Sequence, residues 1–165
     1  MLDFATAVFA ALLLCAQAAR AEDDAAALAK ALPDATVSLQ QGLTASEREG
    51  KPISGKFELD DGALQLSVYT AKDDKFTEVI VDHKSGAIKK AETITDADDL
   101  KNAREQNDAM QKAGLSLSAA SAKAVAANAG YAAVKVVPIM KEGHPVADMT
   151  LMKGMEVRKV EQRLD

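Results

Sequence analysis

The chain has no tryptophan, two tyrosines, four phenylalanines, two histidines and one cysteine among 165 residues. Each shortage closes off a class of function. With Cys15 alone, no intrachain disulfide is available, and sites built from paired cysteines are excluded. His83 and His144 come without an HExxH, GxSxG or P-loop pattern, so no metalloprotease, serine-hydrolase or nucleotide-binding signature is present. Basic residues number 20 against 25 acidic ones, a formal charge of −5 with a pI near 5.1, which disfavours a nucleic acid partner. A mean hydropathy of −0.10 with 27% charged residues excludes a polytopic membrane protein and opposes wholesale disorder. Alanine is abundant, at 33 residues, so the 48% hydrophobic fraction holds fewer bulky side chains than it suggests.

The bulkiest apolar run comes first. Residues 4–19 are uncharged and fall short of the roughly 17–25 residues that a transmembrane helix needs. Ala19-Arg20-Ala21 then supplies a small-x-small site, followed by the acidic, alanine-rich EDDAAA. That order is the order of a secretory signal, so residues 1–21 are expected to be a signal peptide cleaved after Ala21, with a periplasmic or secreted product and no membrane span after cleavage. The leading MLDF carries Asp3 and no basic residue, which leaves retention as an anchor open beside cleavage. Leu14 stands where lipid attachment at Cys15 would want a small residue, against lipidation. Cleavage removes Cys15, so the mature chain must fold by burial alone.

Beyond the signal, Glu22–Leu32 reads as a short helix ended by Pro33, and Ser38 as the N-cap of a second helix reaching about Glu49, with Gly50 as its stop. Period-two alternation follows: Ile53 to Leu59, Leu64 to Tyr69, Phe76 to Val81 and Ala87 to Ala91 are expected strands. Their turns are at Asp60-Asp61-Gly62, in Ala71–Lys75 and at His83–Gly86. Thr95 with Asp98 resembles a capping box for a connecting helix to Ala113, whose apolar face (Leu100, Ala103, Met110) is thin. Ser116 or Ser118 then caps a helix through Ala129. Strands Tyr131–Met140, Val146–Met152 and Met155–Leu164 follow, with turns at Lys141-Glu142-Gly143 and Lys153-Gly154. Gly50 and Gly130 lie 80 residues apart, and Gly62 and Gly143 lie 81 apart, so the order helix-then-strands reads as a repeat whose second copy lacks a fourth strand. The expectation is α+β: a first unit over 22–94, a connecting helix over 95–114 and a second unit over 115–165.

Within the first unit, FTEVIVDHKSGAI (Phe76 to Ile88) carries Val81, Asp82, Ser85, Gly86 and Ile88 in a strand–turn–strand frame. Asp82 can accept hydrogen bonds from the turn backbone, and Gly86 permits the left-handed geometry that closes it. Residues 38–91 resemble the PepSY domain family in this motif, in the upstream helix and in the Phe57 to Tyr69 hairpin. The second unit looks like a degenerate copy, with a matching helix in LSLSAASAKAVAANAGY but no VDxxSG turn. The resemblance implies an α+β fold, an extracytoplasmic site of action, no catalytic residues and a periplasmic or secreted peptidase as partner.

The residues themselves offer little chemistry. Asp60-Asp61, Asp73-Asp74 and Asp98-Asp99 sit in polar turns or at a helix start, where nothing lifts a carboxyl pKa for general-acid work. No cofactor is expected. A metal alternative is copper handling through thioethers: Met149, Met152 and Met155 form M-x-x-M-x-x-M, with Met140 and His144 nearby, and soft sulfur selects Cu(I). With Lys153-Gly154 as a two-residue hairpin turn, Met152 and Met155 would face each other while Met149 points to the opposite face, leaving His144, Met152 and Met155 as the candidate set. Flexible core filling is the opposing account. The missing fourth strand leaves Val157–Leu164 as an expected sheet edge. It is either a docking edge for an extended peptide or an edge kept soluble by Arg158, Lys159, Glu161 and Arg163.

Overall fold

Branched residues alternate with polar ones in two stretches of the chain, and in both the result is an antiparallel ladder. The computed structural model describes residues 24–165; the expected signal peptide over 1–21 lies outside the described residues. The fold is α+β, with four helices and one seven-stranded antiparallel sheet among the described residues. Helix α1 covers 24–31 and runs into a 3-10 turn at Leu32–Asp34, so Pro33 sits inside that turn and does not simply stop the helix. Helix α2 is Leu39–Ser46, α3 is Ala97–Gln111 and α4 is Leu117–Ala127. The strands are β1 (Lys51–Asp60), β2 (Ala63–Lys72), β3 (Lys75–Val81), β4 (Ile88–Thr93), β5 (Ala132–Lys141), β6 (His144–Lys153) and β7 (Glu156–Arg163). Their order across the sheet is β4-β3-β2-β1-β5-β6-β7. None of the described helices is long and apolar enough to cross a membrane.

Local chemistry explains the boundaries. The Ser38 hydroxyl accepts from the Gln41 amide at 3.2 Å while the Gln41 side chain accepts from the Ser38 amide at 2.8 Å, a complete capping box for α2. The cap of α3 is Asp96 and not Thr95, because its carboxylate takes the amides of both Asp98 (2.9 Å) and Asp99 (3.1 Å). Ser116, the nearer of the two serines, caps α4. Two hairpins turn on a left-handed pair with glycine second, Asp61-Gly62 (φ 47° and 78°) and Glu142-Gly143 (φ 52° and 84°).

Helices α2 and α4 lie against each other and cover one face of the sheet. Gly55 makes that approach possible: a Cβ there would stand 3.1 Å from a Leu43 methyl and 3.2 Å from a Leu39 methyl. Both leucines are fully buried, each contributing about 1.5–3 kcal/mol of burial. Helix α3 comes from the other side. Its Asn102 and Gln106 meet Ser54, Lys56 and Lys135, which alternate with the inward-facing Gly55 and Val136, while Met110 at its far end enters the common core. This helix therefore packs more closely than its thin apolar face predicts.

The two halves share one sheet through a short seam, in which β1 and β5 pair only at Gly55↔Val136 and Lys56↔Lys135. Corresponding features recur 81 positions apart. One residue is bulged out of register in β1 at Ile53 and in β5 at Val134, and both are buried. Each half also closes in the same way. The His83 carbonyl after β3 accepts from the Thr36 and Val37 amides at 2.9 and 3.0 Å, just ahead of the Ser38 cap. After β7, the Leu164 carbonyl accepts from Gly114 and Leu115 at 2.7 and 2.9 Å, just ahead of the Ser116 cap. Pro145, opposite Leu164, has no N–H to offer, which leaves that carbonyl free for the loop.

Candidate functional site

The first half covers its third strand with β4, whereas among the described residues β7 has no neighbour on its outer side. This edge starts from a two-residue turn, Gly154-Met155, in which Gly154 takes φ 56°. The turn sets the register from Lys153↔Glu156 to Val146↔Arg163. Continuing the same register, the Leu164 amide donates to the Pro145 carbonyl at 2.9 Å. Antiparallel rungs alternate, so the even-numbered residues of β7 bond to β6 and the odd-numbered ones turn N–H and C=O outward. Val157, Lys159, Glu161 and Arg163 thus turn a row of backbone donors and acceptors outward, of which the Arg163 carbonyl accepts from the Gln162 side-chain amide at 3.0 Å.

The charged side chains on this strand are folded back over the protein. Lys159 donates to the Thr150 hydroxyl at 2.7 Å, and Glu161 pairs with Lys141 at 2.6 Å. Arg158 donates to Asn128 at 2.6 Å and lies over the Tyr131 ring at 4.3 Å. Arg163 pairs with Asp165 at 2.9 Å, and the His144 ring nitrogen is 2.7 Å from the same carboxylate. Hydrogen bonds from Arg163, then His144, hold the Asp165 carboxyl well below the usual carboxylate range, and Glu161 raises the Lys141 ammonium. No nucleophile beside a base arises here. The outward backbone groups of this edge can pair with another strand.

The thioether candidates do not converge. His144 opens β6 and Met152 lies near its other end, about 26 Å along an extended strand. The turn is Gly154-Met155, so Met152 pairs with Val157 and does not face Met155 as expected from a Lys153-Gly154 turn. Met152 and Met149 are buried, and Met155 is 61% exposed at the turn. Among the described residues, no three or more His, Cys, Asp or Glu side chains are grouped to hold a metal ion.

The carboxylate pairs are turn and cap residues, as their surroundings predict. Asp61, Asp73 and Asp74 all have positive φ in tight turns, and Asp96 caps α3 with the amides of Asp98 and Asp99. Asp82 organises the turn after β3. Its carboxylate takes the Lys89 ammonium at 2.8 Å and the Lys84 and Ser85 amides at 2.9 and 2.7 Å, which together hold it far below the usual carboxylate range. Gly86 closes the turn at φ 75°.

One feature was not legible in the sequence. A polar cleft of about 230 Å³ lies between α3 and the far face of the sheet, lined by Ser54, Lys56, Tyr69, Asn102, Gln106 and Lys135. Ser54 donates to Gln106 at 2.7 Å. Tyr69 donates to Glu78 at 3.1 Å, and burial followed by the Glu78 charge raises its phenol, so it stays protonated. Residues separated by fifty positions meet here only because α3 crosses the seam, and no local pattern announces that.

Comparison with protein-family models, with curated proteins and with solved structures found no match for this chain.

Proposed function

We propose that this chain is an exported binding module without catalytic chemistry of its own, which receives an extended peptide along β7 through main-chain pairing. The observation that carries the reading is that no described strand pairs with the outer side of β7, at the position where the first half seats β4 on β3. A strand laid there pairs with four outward-facing residues, displacing only the Gln162 side-chain amide from the Arg163 carbonyl and breaking no rung of the ladder. The reading treats the chain as two tandem PepSY-like units, the second degenerate and one strand short. In its support are the recurrence of bulges 81 positions apart, the matching carbonyl closures, and the Asp82–Gly86 turn with its carboxylate on two amides. A periplasmic or secreted peptidase is the partner that this resemblance implies, and the apolar run over 4–19 with its Ala19-Arg20-Ala21 site supports export.

Hydrogen exchange tests the reading directly. With a co-secreted peptidase added, protection is expected to rise at the amides of Val157, Lys159, Glu161 and Arg163. Those of Arg158 and Val160, already bonded to β6, should change little. Protection confined to another surface, or inhibition of the peptidase with these four amides unaffected, refutes the docking edge.

A further inference from the structure

The residues of β7 complement themselves. Two copies related by a two-fold axis through their sheets can join antiparallel only where a residue lies opposite its own copy, because bonded and non-bonded rungs alternate and symmetry must map each rung onto its own kind. Centring on Arg158, Lys159 or Glu161 sets a charge against itself. Centring on Val157 or Gln162 leaves much of the strand without a partner. Centring on Val160 keeps the whole strand and avoids every like-charge rung. Lys159 then faces Glu161 of the second copy, Arg158 faces Gln162, and Val157 faces Arg163, each rung occurring twice by symmetry. The outward-facing residues fall on the bonded rungs of this register, and Lys159 and Glu161 project from the same face.

Two further observations point to the same occupant. Val157 is 49% exposed beside this edge, and the stem of Arg163 from the second copy would cover it. The corresponding strand of the first half, β3, already carries an antiparallel neighbour across its ladder. The opposite edge is the poorer candidate. Strand β4 is six residues against eight.

We propose that β7 pairs with β7 of a second copy of this chain, centred on Val160, to make one sheet running through both molecules. This goes beyond the binding role and does not depend on it, since self-association is measured with no peptidase present. The two compete for one edge, so pairing would mask the row of amides until a peptide displaces the second copy.

Sedimentation velocity of the purified chain over a concentration series reads the equilibrium. The expected result is a reversible monomer–dimer transition. Lys159→Glu should weaken it about tenfold or more by creating two like-charge rungs, and Lys159→Glu with Glu161→Lys should bring it back to within about threefold of the original. Circular dichroism on each variant verifies folding. Exchange on the unaltered chain needs no variant: the four outward amides should become protected as concentration rises. A chain that stays monomeric throughout overturns the proposal. So does a dimer indifferent to Lys159→Glu, a folded double variant that fails to recover, or a dimer broken by Lys90→Glu instead.

Discussion

Leu164 follows β7, and its side chain is fully buried in the common core. Replacing it with alanine removes three buried carbons and leaves the backbone closure to Gly114 and Leu115 intact. Leucine-to-alanine changes in cores cost about 2–5 kcal/mol, and a side chain just beyond the end of an edge strand leaves a cavity that can partly collapse, so about 2–3 kcal/mol is expected here. For a domain of this size that corresponds to a fall in Tm of roughly 5–12 °C. Urea denaturation followed by circular dichroism suits the measurement, since there is no tryptophan to report by fluorescence. The urea slope should be unchanged while the midpoint drops. His83 is the control: its carbonyl makes the same closure in the first half, but its ring belongs to no core cluster, so His83→Ala should cost less than about 0.5 kcal/mol. Deleting residues 164–165 removes side chain and carbonyl together and should cost more than Leu164→Ala. A Leu164→Ala variant within about 0.5 kcal/mol of the parent would show that burial of this side chain contributes nothing, and would refute the reasoning.

Ser121 on α4 is buried with no hydrogen-bond partner for its hydroxyl among the described residues, so Ser121→Ala should stabilise by about 1 kcal/mol in the same urea titration, and a loss of stability would contradict this. Gly42→Ala sets a gain in helix propensity of about 1 kcal/mol against a Cβ only 2.5 Å from a methyl of the fully buried Leu66. Overpacking costs about 1–3 kcal/mol, so a net loss is expected, and a gain would mean that Leu66 can shift freely. The Asp82 carboxyl has its folded pKa lowered by Lys89 and the turn amides, so its stabilisation is complete above the ordinary carboxylate range, about pH 4, and is lost as pH falls below it. Stability should therefore decline between pH 5 and pH 2 less steeply in Asp82→Asn than in the parent, and equal slopes in chemical denaturation would contradict this.

Much of the architecture could be read from the sequence because it is written locally. Alternation located β1 to β3, serines marked the starts of α2 and α4, and glycines with positive φ marked the turns. The failures were of two kinds. The last hairpin was read one position early because Gly62 and Gly143 stand second in their turns, whereas Gly154 stands first. That single step moved Met155 from a supposed partner of Met152 to an exposed turn tip, and it also decides which β7 amides face outward. The second kind was long-range. The seam between β1 and β5 and the passage of α3 across it depend on residues far apart in sequence, and neither imposes a periodicity on the strand or helix that takes part. The edge at β7 could be inferred by counting strands; its self-complementary register could not be found until the turn was placed.

The brevity of the seam bears on how the chain acquires its shape. Every other strand pairing joins neighbours in sequence across a turn or short loop, whereas Gly55 and Val136 must find each other across eighty intervening residues. Closing so long a loop for two rungs returns little until the helices on both sides are in place, so the hairpins should assemble early and the junction last. A slow phase in refolding therefore belongs to this junction. Substitutions there should mainly quicken unfolding while leaving the rate of collapse of either half almost untouched.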